Sequence, residues 1–349
     1  MSAEIRFGII GCGEIAVQTC QGIAAAPNAS IAMLMDARPE VLRDLGEFYG
    51  VPTTTEVDDV LRNPEVDAVY IATPHYLHAP LGIEAAQAGK HVLVEKPIAT
   101  NLADADALIA ACRKHGVKLG VAFLAQVDGA AAAARDLVRA GVLGEIIAVR
   151  ITALGDKPDY YWHGGYTRRV HTDWRTSKEQ SGGGILIMNV IHDLNTMRWV
   201  TGLEVTRVYA EYDTLATPVE VEDVIGVVMR FNNRAVGVIQ AGSAMRGGAH
   251  EDVPGIRIYG TKGQLIVGPK PLVYLLEPLE GGTPKSWQEL RYAGPKGDRE
   301  QMIARFAQAI LEDGEPPVTG LDGRKALEIV VAAYRSGESG RPVELPLTS

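Results

Sequence analysis

Cysteine is scarce in this sequence, with three residues among 349, at positions Cys12, Cys20 and Cys112. So few and so widely spaced cysteines exclude a disulfide framework, and no pair has the close spacing of a zinc site. We therefore expect a reducing, cytoplasmic setting for the protein.

Long hydrophobic runs and an excess of positive charge are also missing. No segment reaches the 18 or so uninterrupted apolar residues of a membrane span, and no basic, apolar leader precedes the first predicted strand at Ile5. The chain has 34 Lys and Arg against 43 Asp and Glu, a formal net charge of -9. That sign opposes binding to phosphate backbones or anionic lipid, so we expect neither a nucleic acid nor a membrane partner.

The composition that is present is that of a folded globular protein. Apolar residues make up 46% and charged residues 22%, and there are 38 Gly and 19 Pro. These proportions exclude disordered and collagen-like chains. At roughly 150 residues per domain, the length predicts two domains.

Hydrophobic periodicity changes near residue 125. Before it, short β-branched runs alternate with Ala-rich helical segments, which predicts a parallel sheet covered by helices. The predicted strands are 5–10, 30–35, 67–72, 91–94 and 117–122, and the predicted helices are 14–25, 39–48, 79–88 and 101–115.

After residue 125, a helix from Ala130 to Ala140, a strand 145–153 and a helix 185–200 precede a series of strands, which predicts an α+β domain with a mostly antiparallel sheet. Two helices, 298–312 and 322–335, close the chain, the second capped by Asp322. We therefore divide the chain into domains 1–125 and 126–349.

A glycine-rich turn follows the first predicted strand. Gly11, Gly13 and Ala16 form the G-x-G-x-x-G/A pattern between a strand and a helix. The first glycine permits a tight turn, the second lets a diphosphate approach the backbone, and the small third residue lets helix and strand pack closely. We predict a dinucleotide site here that includes Cys12, Glu14 and Ile15.

Asp36 lies 20 residues beyond Ala16, at the end of the second predicted strand. A carboxylate at this place can accept hydrogen bonds from the adenosine ribose hydroxyls, and it repels the 2′-phosphate of NADP. We therefore predict NAD, contacted by Asp36, Ala37 and Arg38. NADP stays possible, because Arg38 could pair with its phosphate.

Thr73 and Pro74 end another predicted strand, so their loop borders the ligand crevice of an open α/β sheet. His75 and His78 follow in an H-x-x-H spacing, which can bind a metal. No cysteine or carboxylate completes such a site, so we predict no metal and expect these histidines to cap the next helix.

Lys96 stands at the carboxyl end of the predicted strand 91–94, between Glu95 and Pro97. Burying its ammonium is costly unless the group is paired or functional, and the proline turns the chain away from the strand. A surface lysine at a strand end is the alternative interpretation.

Together these motifs resemble the glucose-fructose oxidoreductase, inositol dehydrogenase and MocA (Gfo/Idh/MocA) family over nearly the whole chain. The segments that carry the resemblance are the GxGxxA turn, Thr73-Pro74 with His78, Gly89 to Pro97, Gly141 to Glu145, Gly182 to Gly184, His192, Trp199 with Gly202, Tyr259 to Gly263 and Arg341 to Val343.

The resemblance implies an α/β Rossmann domain with a parallel sheet, then an α+β domain with a large open, mostly antiparallel sheet, and NAD in the cleft between them. It implies that Thr73, Pro74, His78 and Glu95 contact the cofactor. It also implies that Lys96 contacts both cofactor and substrate hydroxyl and that His192 is the acid/base. Open sheets of this family pair between subunits, so we expect a homodimer or homotetramer through the C-terminal sheet.

The sequence departs from the family pattern around His192. Met188 stands four residues before it and Asn195 three residues after it, at positions where relatives often have aspartate. Asn189 lies near the same helix face as His192 and is expected to orient its ring, whereas Asp193 points elsewhere.

Substrate residues are expected in two further places. Gln126 stands where many relatives have arginine, and it suits a neutral sugar. The segment from Asp156 to Gln180 holds Tyr160, Tyr161, Trp162, His163, Tyr166, Arg168, Arg169, His171, Trp174 and Arg175. Aromatic faces among hydrogen-bond donors suit a carbohydrate ring, and of these residues we expect Tyr161, Trp162, Arg168 and Trp174 to contact the substrate. A subunit interface is the alternative.

We therefore expect an NAD-dependent oxidoreductase that acts on a secondary hydroxyl of a sugar, cyclic polyol or glycoside, because oxidation needs a base for the hydroxyl proton and imidazole suits that role. Two alternatives stay open: a sugar hydrolase or lyase that recycles bound NAD, and a non-catalytic nucleotide-binding protein.

Overall fold

A computed structural model describes residues 4–248, 255–277 and 282–347 of the chain. These residues form two compact units, and each is built from three stretches of sequence. The first unit comprises Met1–Val127, Pro158–Gly182 and Gly297–Leu327, and the second comprises Asp128–Lys157, Gly183–Lys296 and Glu328–Ser349. The division predicted at residue 125 did not anticipate that two later segments join the first unit.

Strands and helices alternate through the first part of the chain. They are β1 (Ile5–Ile10), α1 (Ala16–Ala25), β2 (Ala29–Met35), α2 (Arg43–Tyr49), β3 (Thr53–Thr54), α3 (Val57–Arg62), β4 (Ala68–Ile71), α4 (His78–Gln87), β5 (His91–Val94), α5 (Leu102–His115) and β6 (Leu119–Val121). Short 3-10 turns occupy Pro39–Val41, His75–Leu77 and Ala125–Val127.

The first unit contains a six-stranded sheet in the order β3-β2-β1-β4-β5-β6, in which every pairing is parallel. Strands covered on both faces need continuous apolar sequence, and Phe7, Ile9 and Ile10 of β1 have no exposed surface. The predicted parallel sheet is confirmed. Its strand order reverses between β1 and β4, which is where doubly wound sheets bind their ligands.

The remaining elements follow in chain order. They are α6 (Gly129–Arg139), β7 (Ile146–Leu154), α7 (Asp159–Gly164), α8 (Lys178–Ser181), α9 (Ile191–Thr201), β8 (Val205–Asp213), β9 (Val224–Phe231), β10 (Val236–Gly242), β11 (Gly255–Gly260), β12 (Gly263–Val267), β13 (Leu272–Leu275), β14 (Trp287–Glu289), α10 (Arg299–Leu311), α11 (Gly320–Ser339) and β15 (Val343–Glu344). A five-residue π-helix, Leu186–Val190, directly precedes α9.

The second unit contains a nine-stranded sheet in the order β14-β13-β12-β11-β7-β10-β9-β8-β15. Among the strands of this sheet that the structure describes, only β7 and β10 pair in parallel, and the other pairings are antiparallel. This confirms the predicted mostly antiparallel sheet. Side chains alternate along β9, where Ile225, Val227 and Met229 are buried while Val228 is 50% exposed, so one face of the sheet is solvated at this strand.

One predicted helix cap is wrong. Helix α11 begins at Gly320, after Thr319, whose hydroxyl accepts from the backbone N–H of Asp322. The carboxylate of Asp322 in turn accepts from the backbone N–H and hydroxyl of Thr319, at 2.9 and 2.7 Å. Thr319 is therefore the capping residue, and Asp322 is the third-position acid of a capping box.

No helix within the described residues is both long enough and apolar enough to cross a membrane.

Candidate functional site

The turn between β1 and α1 is fixed by close backbone contacts. Gly11 has φ +95°, and a Cβ there would lie 2.8 Å from the carbonyl carbon of Ala72 at the end of β4, so only glycine fits. At Gly13, a Cβ would meet only Val170, at an ordinary 3.7 Å. Packing within the protein therefore does not require the second glycine, whereas close approach of a diphosphate does.

The start of helix α1 also fits an anion. Ile15 precedes the helix without a side-chain cap, and its first turn contains no acidic residue. The N–H of Ala16 donates to the carbonyl of Gly13 at 3.3 Å, but no side chain caps this end, so its other backbone N–H groups can donate to phosphate oxygens, which the helix dipole also favours. Ala16 has no exposed surface, as the close packing of helix against strand requires.

The carboxylate of Asp36 is held at the end of β2 by two backbone donors. The N–H of Cys12 donates to Oδ2 at 2.8 Å, and the N–H of Arg38 donates to Oδ1 at 3.0 Å. Arg38 extends from the same loop, half-exposed, with Nη1 donating to the carbonyl of His171 at 3.1 Å. Ala37 between them is exposed. The carboxylate is thus oriented beside the glycine-rich turn, and its remaining lone pairs can accept from ribose hydroxyls.

The loop after β4 contains an unsatisfied hydroxyl. Oγ1 of Thr73 is buried and has no hydrogen-bond partner within the described part of the chain. A buried hydroxyl without a partner is costly, so this atom is a candidate to bind a cofactor oxygen. Pro74 follows it and precedes the 3-10 turn at His75.

His75 and His78 do not cap helices, contrary to the prediction. Neither the 3-10 turn nor α4 has a capping side chain. Instead, the ring of His78 bridges two carbonyls, with Nδ1 2.7 Å from the oxygen of Pro97 and Nε2 2.9 Å from that of Thr73. Nδ1 of His75 lies 2.7 Å from the Ser181 oxygen. His78 therefore joins the loop after β4 to the loop after β5.

Lys96 lies at the end of β5, where it is half-buried. The pKa of its ammonium is lowered to about 8, chiefly by burial and also by the nearby guanidiniums of Arg299 and Arg175, while Glu95 and Glu14 oppose the shift. Glu95 itself is buried and fixed, since its Oε1 accepts a hydrogen bond from Oη of Tyr70 at 2.8 Å and forms an ion pair with Nη2 of Arg299 at 3.0 Å. A lysine whose pKa approaches neutrality can stabilise an oxyanion or exchange a proton.

The segment 158–182 belongs to the first unit and places its predicted substrate residues unequally. Trp174 is partly exposed, with its ring centroid 4.5 Å from that of His75. Tyr161 is buried, and burial raises its pKa to about 12. Arg168 is exposed and stacks on Tyr160, with Cζ 3.6 Å from the ring centroid. Trp162 is 1% exposed, and its indole is part of the core of the described structure.

Gln126 is buried in the 3-10 turn after β6, and its Oε1 has no partner among the described residues. Such an amide oxygen can accept from a substrate hydroxyl, as predicted for a neutral sugar.

His192 lies in the second unit, in the first turn of α9, and is half-buried. The π-helix before it was not predicted, and it changes the angular spacing on which the alignment of Asn189 with His192 depended. The amide oxygen of Asn189 accepts from Nζ of Lys157 at 2.7 Å, so the carboxamide is oriented by a buried lysine. Burial raises the pKa of Asp193, the next residue, to about 7.

Residues 5–123 match the family described as "Oxidoreductase family, NAD-binding Rossmann fold", and residues 131–266 match the GFO/IDH/MocA C-terminal domain. The chain belongs to the Gfo/Idh/MocA oxidoreductase family.

Several relatives of this Gfo/Idh/MocA chain are named as enzymes of sugars or polyols. It is 28% identical to myo-inositol 2-dehydrogenase of Thermotoga maritima over 98% of each chain, and 28% identical to 1,5-anhydro-D-fructose reductase of Ensifer adhaerens over 97% of this chain and 98% of that one. The solved structure of the WlbA dehydrogenase from Bordetella pertussis, in complex with NADH and UDP-GlcNAcA, has a TM-score of 0.85 and 27% identity, covering 100% and 99% of the two chains. The protein is thus an NAD-dependent oxidoreductase.

Four basic residues near the candidate site of this family member were not predicted as site residues from the sequence. Arg175 forms an ion pair with Glu14 at 2.7 Å, and its charge helps to lower the pKa of Lys96. Arg299 forms an ion pair with Glu95. Arg169 donates to the carbonyl of Cys12, and Lys157 orients Asn189. All four are basic residues that are at most about 15% exposed in the fold, and sequence alone does not reveal that burial.

Proposed function

We propose that this enzyme transfers hydride between a secondary hydroxyl of a sugar, cyclic polyol or glycoside and NAD. The observation that carries the proposal is Lys96, a half-buried lysine of lowered pKa at the carboxyl end of β5, on the edge of the sheet that also holds the glycine-rich turn. The names of the relatives, which include inositol and anhydrosugar enzymes, support this substrate class.

We assign the cofactor to residues of the first unit. Gly11, Cys12, Gly13, Glu14 and Ile15 hold the diphosphate through the turn and the start of α1, as the open backbone donors there allow. Asp36, Ala37 and Arg38 bind the adenosine ribose. Thr73, Pro74, His78, Glu95 and Lys96 border the nicotinamide half. When bound, the nicotinamide supplies the acceptor or donor of hydride.

Lys96 and His192 carry the acid/base chemistry in this proposal. Lys96, as ammonium, polarises the reacting oxygen and stabilises the negative charge that develops on it. His192, with a neutral imidazole, accepts the hydroxyl proton during oxidation and returns it during reduction. Gln126, Tyr161, Trp174, Arg168 and Asn189 contact the substrate.

The first test is a substrate panel. Purified protein is incubated with NAD or NADP and with inositols, aldoses, glycosides and anhydrosugars, and reduced nicotinamide is followed by absorbance; the corresponding ketones are assayed with NADH. We expect turnover with NAD, because Asp36 repels a 2′-phosphate. Bound NADH without turnover of any compound in either direction would contradict the proposal.

Two variants with matched controls then test the roles. Lys96→Met and His192→Ala should each lower kcat by about 10²–10⁴-fold, the usual contribution of acid/base and oxyanion groups, while His192→Ala still binds NADH. The controls are Lys114→Met and His115→Ala, which change exposed residues at the end of α5 and should leave kcat unchanged. Retained turnover in His192→Ala would remove it as the acid/base.

We further propose that copies of this chain assemble through the nine-stranded sheet. Val228 of β9 and Val238 of β10 are paired across the strands and are 50% and 41% exposed. Adjacent apolar side chains on a solvated sheet face suit an isologous interface between two copies.

A further inference from the structure

Arg169 joins two loops that the proposed function assigns to the adenosine diphosphate half of NAD. Its Nε donates to the carbonyl of Cys12 in the glycine-rich turn at 3.0 Å. Its Nη2 donates to the carbonyl of Val41, in the 3-10 turn that follows the ribose-binding loop. Both terminal nitrogens also bind the carboxylate of Asp44 at the start of α2.

The guanidinium suits this bridge because of its shape. It carries five N–H donors in one plane, so one edge can meet a carboxylate while the other donors reach carbonyls. The Arg169 side chain is 15% exposed, whereas that of Asp44 is 61% exposed. The pair is therefore anchored from inside the protein by Arg169 and reaches solvent through Asp44.

The contact fixes the backbone of Cys12 on both sides. Its N–H donates to Asp36, and its C=O accepts from Arg169. Cys12 stands between Gly11 and Gly13, which by themselves leave the chain many conformations. Holding both peptide groups of this residue turns the N–H groups that follow toward a single direction, and such preorganised donors bind a diphosphate at a smaller entropic cost.

We propose that Arg169 is a cofactor-positioning residue, which acts through Cys12 and the ribose-binding loop without touching NAD. This role rests on the proposed placement of the cofactor on those loops. Arg169 comes from the segment 158–182, which follows β7 in sequence, so the first unit receives part of its dinucleotide site from a late segment of the chain.

The test measures cofactor affinity directly. Arg169→Met and Asp44→Asn are titrated with NADH by fluorescence and with ADP-ribose by calorimetry. We expect Arg169→Met to raise the Kd of both ligands by about tenfold or more, because they share the adenosine diphosphate that the two loops hold. Asp44→Asn should raise both values less, since the two carbonyl contacts persist. The double variant should add little to Arg169→Met, because Asp44 acts through Arg169.

The control and the rescue separate positioning from stability. Arg62→Met removes an exposed arginine that pairs with Asp58 in the same unit, and it should leave both Kd values unchanged. Arg169→Lys, which keeps the charge but cannot reach all three acceptors, should give an intermediate Kd. At saturating NAD, the kcat of Arg169→Met should stay within about twofold of the unaltered protein.

Each outcome decides the proposal. If Arg169→Met melts as the unaltered protein does and binds NADH and ADP-ribose equally well, Arg169 only holds its segment in place and the inference is overturned. If Arg169→Met does not fold, Asp44→Asn and Arg169→Lys decide on the same criterion. Failure of the unaltered protein to bind NADH would instead refute the proposed placement of the cofactor.

Discussion

Lys96 comes soon after Val92, Leu93 and Val94 of β5, which have no exposed surface. Burial there disfavours the charged form, as the lowered pKa of about 8 records. A protein selected only for stability would place an apolar side chain at this position. Under the proposed function, Lys96 lowers the stability of the fold in return for its role in the reaction, as active-site residues commonly do.

Replacement of Lys96 should expose that exchange. Lysine in the unfolded chain has a pKa of about 10.4, above the folded value, so between these pH values the unfolded state binds more protons and stability rises with pH. The penalty is fully present below pH 8. We expect Lys96→Met to raise the free energy of unfolding at pH 7 by about 1–3 kcal/mol.

Guanidinium unfolding curves from pH 7 to 10 measure this effect. The gain of Lys96→Met over the unaltered protein should shrink as the pH rises above about 8, while Lys114→Met, at an exposed position, shows no such trend. A variant that is less stable than the unaltered protein at pH 7 would show that the ammonium is a net stabilising group.

Residues with a local signal were predictable, and those with distant partners were not. Gly11 and Asp36 follow from a motif in which strand, turn and helix adjoin in sequence. Arg169 contacts Cys12 across 157 residues, and Arg175 contacts Glu14 across 161. Nothing in the surrounding sequence selects those partners, because the contacts exist only once the segment 158–182 has joined the first unit.

At the scale of elements, the helix that carries His192 has an unusual beginning. The carboxylate of Glu222, just before β9, accepts from the backbone N–H groups of Gly184 and Leu186 and from Oη of Tyr334. A buried acid thus satisfies the open donors that a helix start leaves. The chain passes so close to Glu222 that a Cβ at Gly184 would lie 2.0 Å from its carbonyl oxygen.

Gly184→Ala should therefore displace the start of this helix. We expect a loss of about 2–4 kcal/mol in the free energy of unfolding, because a backbone carbonyl cannot move aside as a flexible side chain can. The matched control is Gly202→Ala at the end of α9, where φ is +68° and a Cβ would meet nothing within 4 Å. It should lose only the left-handed strain, about 1–2 kcal/mol. The stability of both variants is measured by thermal and by denaturant unfolding. If Gly184→Ala loses no more free energy of unfolding than Gly202→Ala, the close approach to Glu222 has no effect.

Element prediction succeeded where periodicity extends over several turns or a full strand. The buried strand β5 and the helix α5 lie close to their predicted limits. The two-residue strand β3 and the six-residue helix α3 were missed, because so few residues carry little pattern. The π-helix Leu186–Val190 was also missed, since it differs from an α-helix in hydrogen bonding and not in composition.

At the scale of the molecule, the nine-stranded sheet leaves apolar side chains exposed in the described residues. Val228, Val236 and Val238 of β9 and β10 are 37–50% exposed. Isolated exposed apolar residues are ordinary, but neighbours on one sheet face indicate a contact surface.

A charge in the centre of that face should break the proposed assembly. In Val228→Glu and Val238→Glu, a second copy would have to bury a carboxylate, and in an isologous pair the charge enters twice. Light scattering after size exclusion should then report the mass of a single chain. Leu215→Glu, at a residue 73% exposed after β8, is the matched control and should keep the assembly. An unaltered protein that is already monomeric would exclude this interface.

The first unit is assembled from three separated stretches of sequence, of which the last ends at Leu327. During synthesis, its six strands leave the ribosome within the first 127 residues, yet the segment with Arg169 and the helix with Arg299 emerge much later. The first unit therefore cannot be complete until most of the chain has been synthesised. An excised fragment that ends at Val127 would keep the glycine-rich motif but would lack Arg169 and Arg299, which contact its loops. A chimaera that exchanges the first unit with that of another protein therefore needs to transfer all three stretches together.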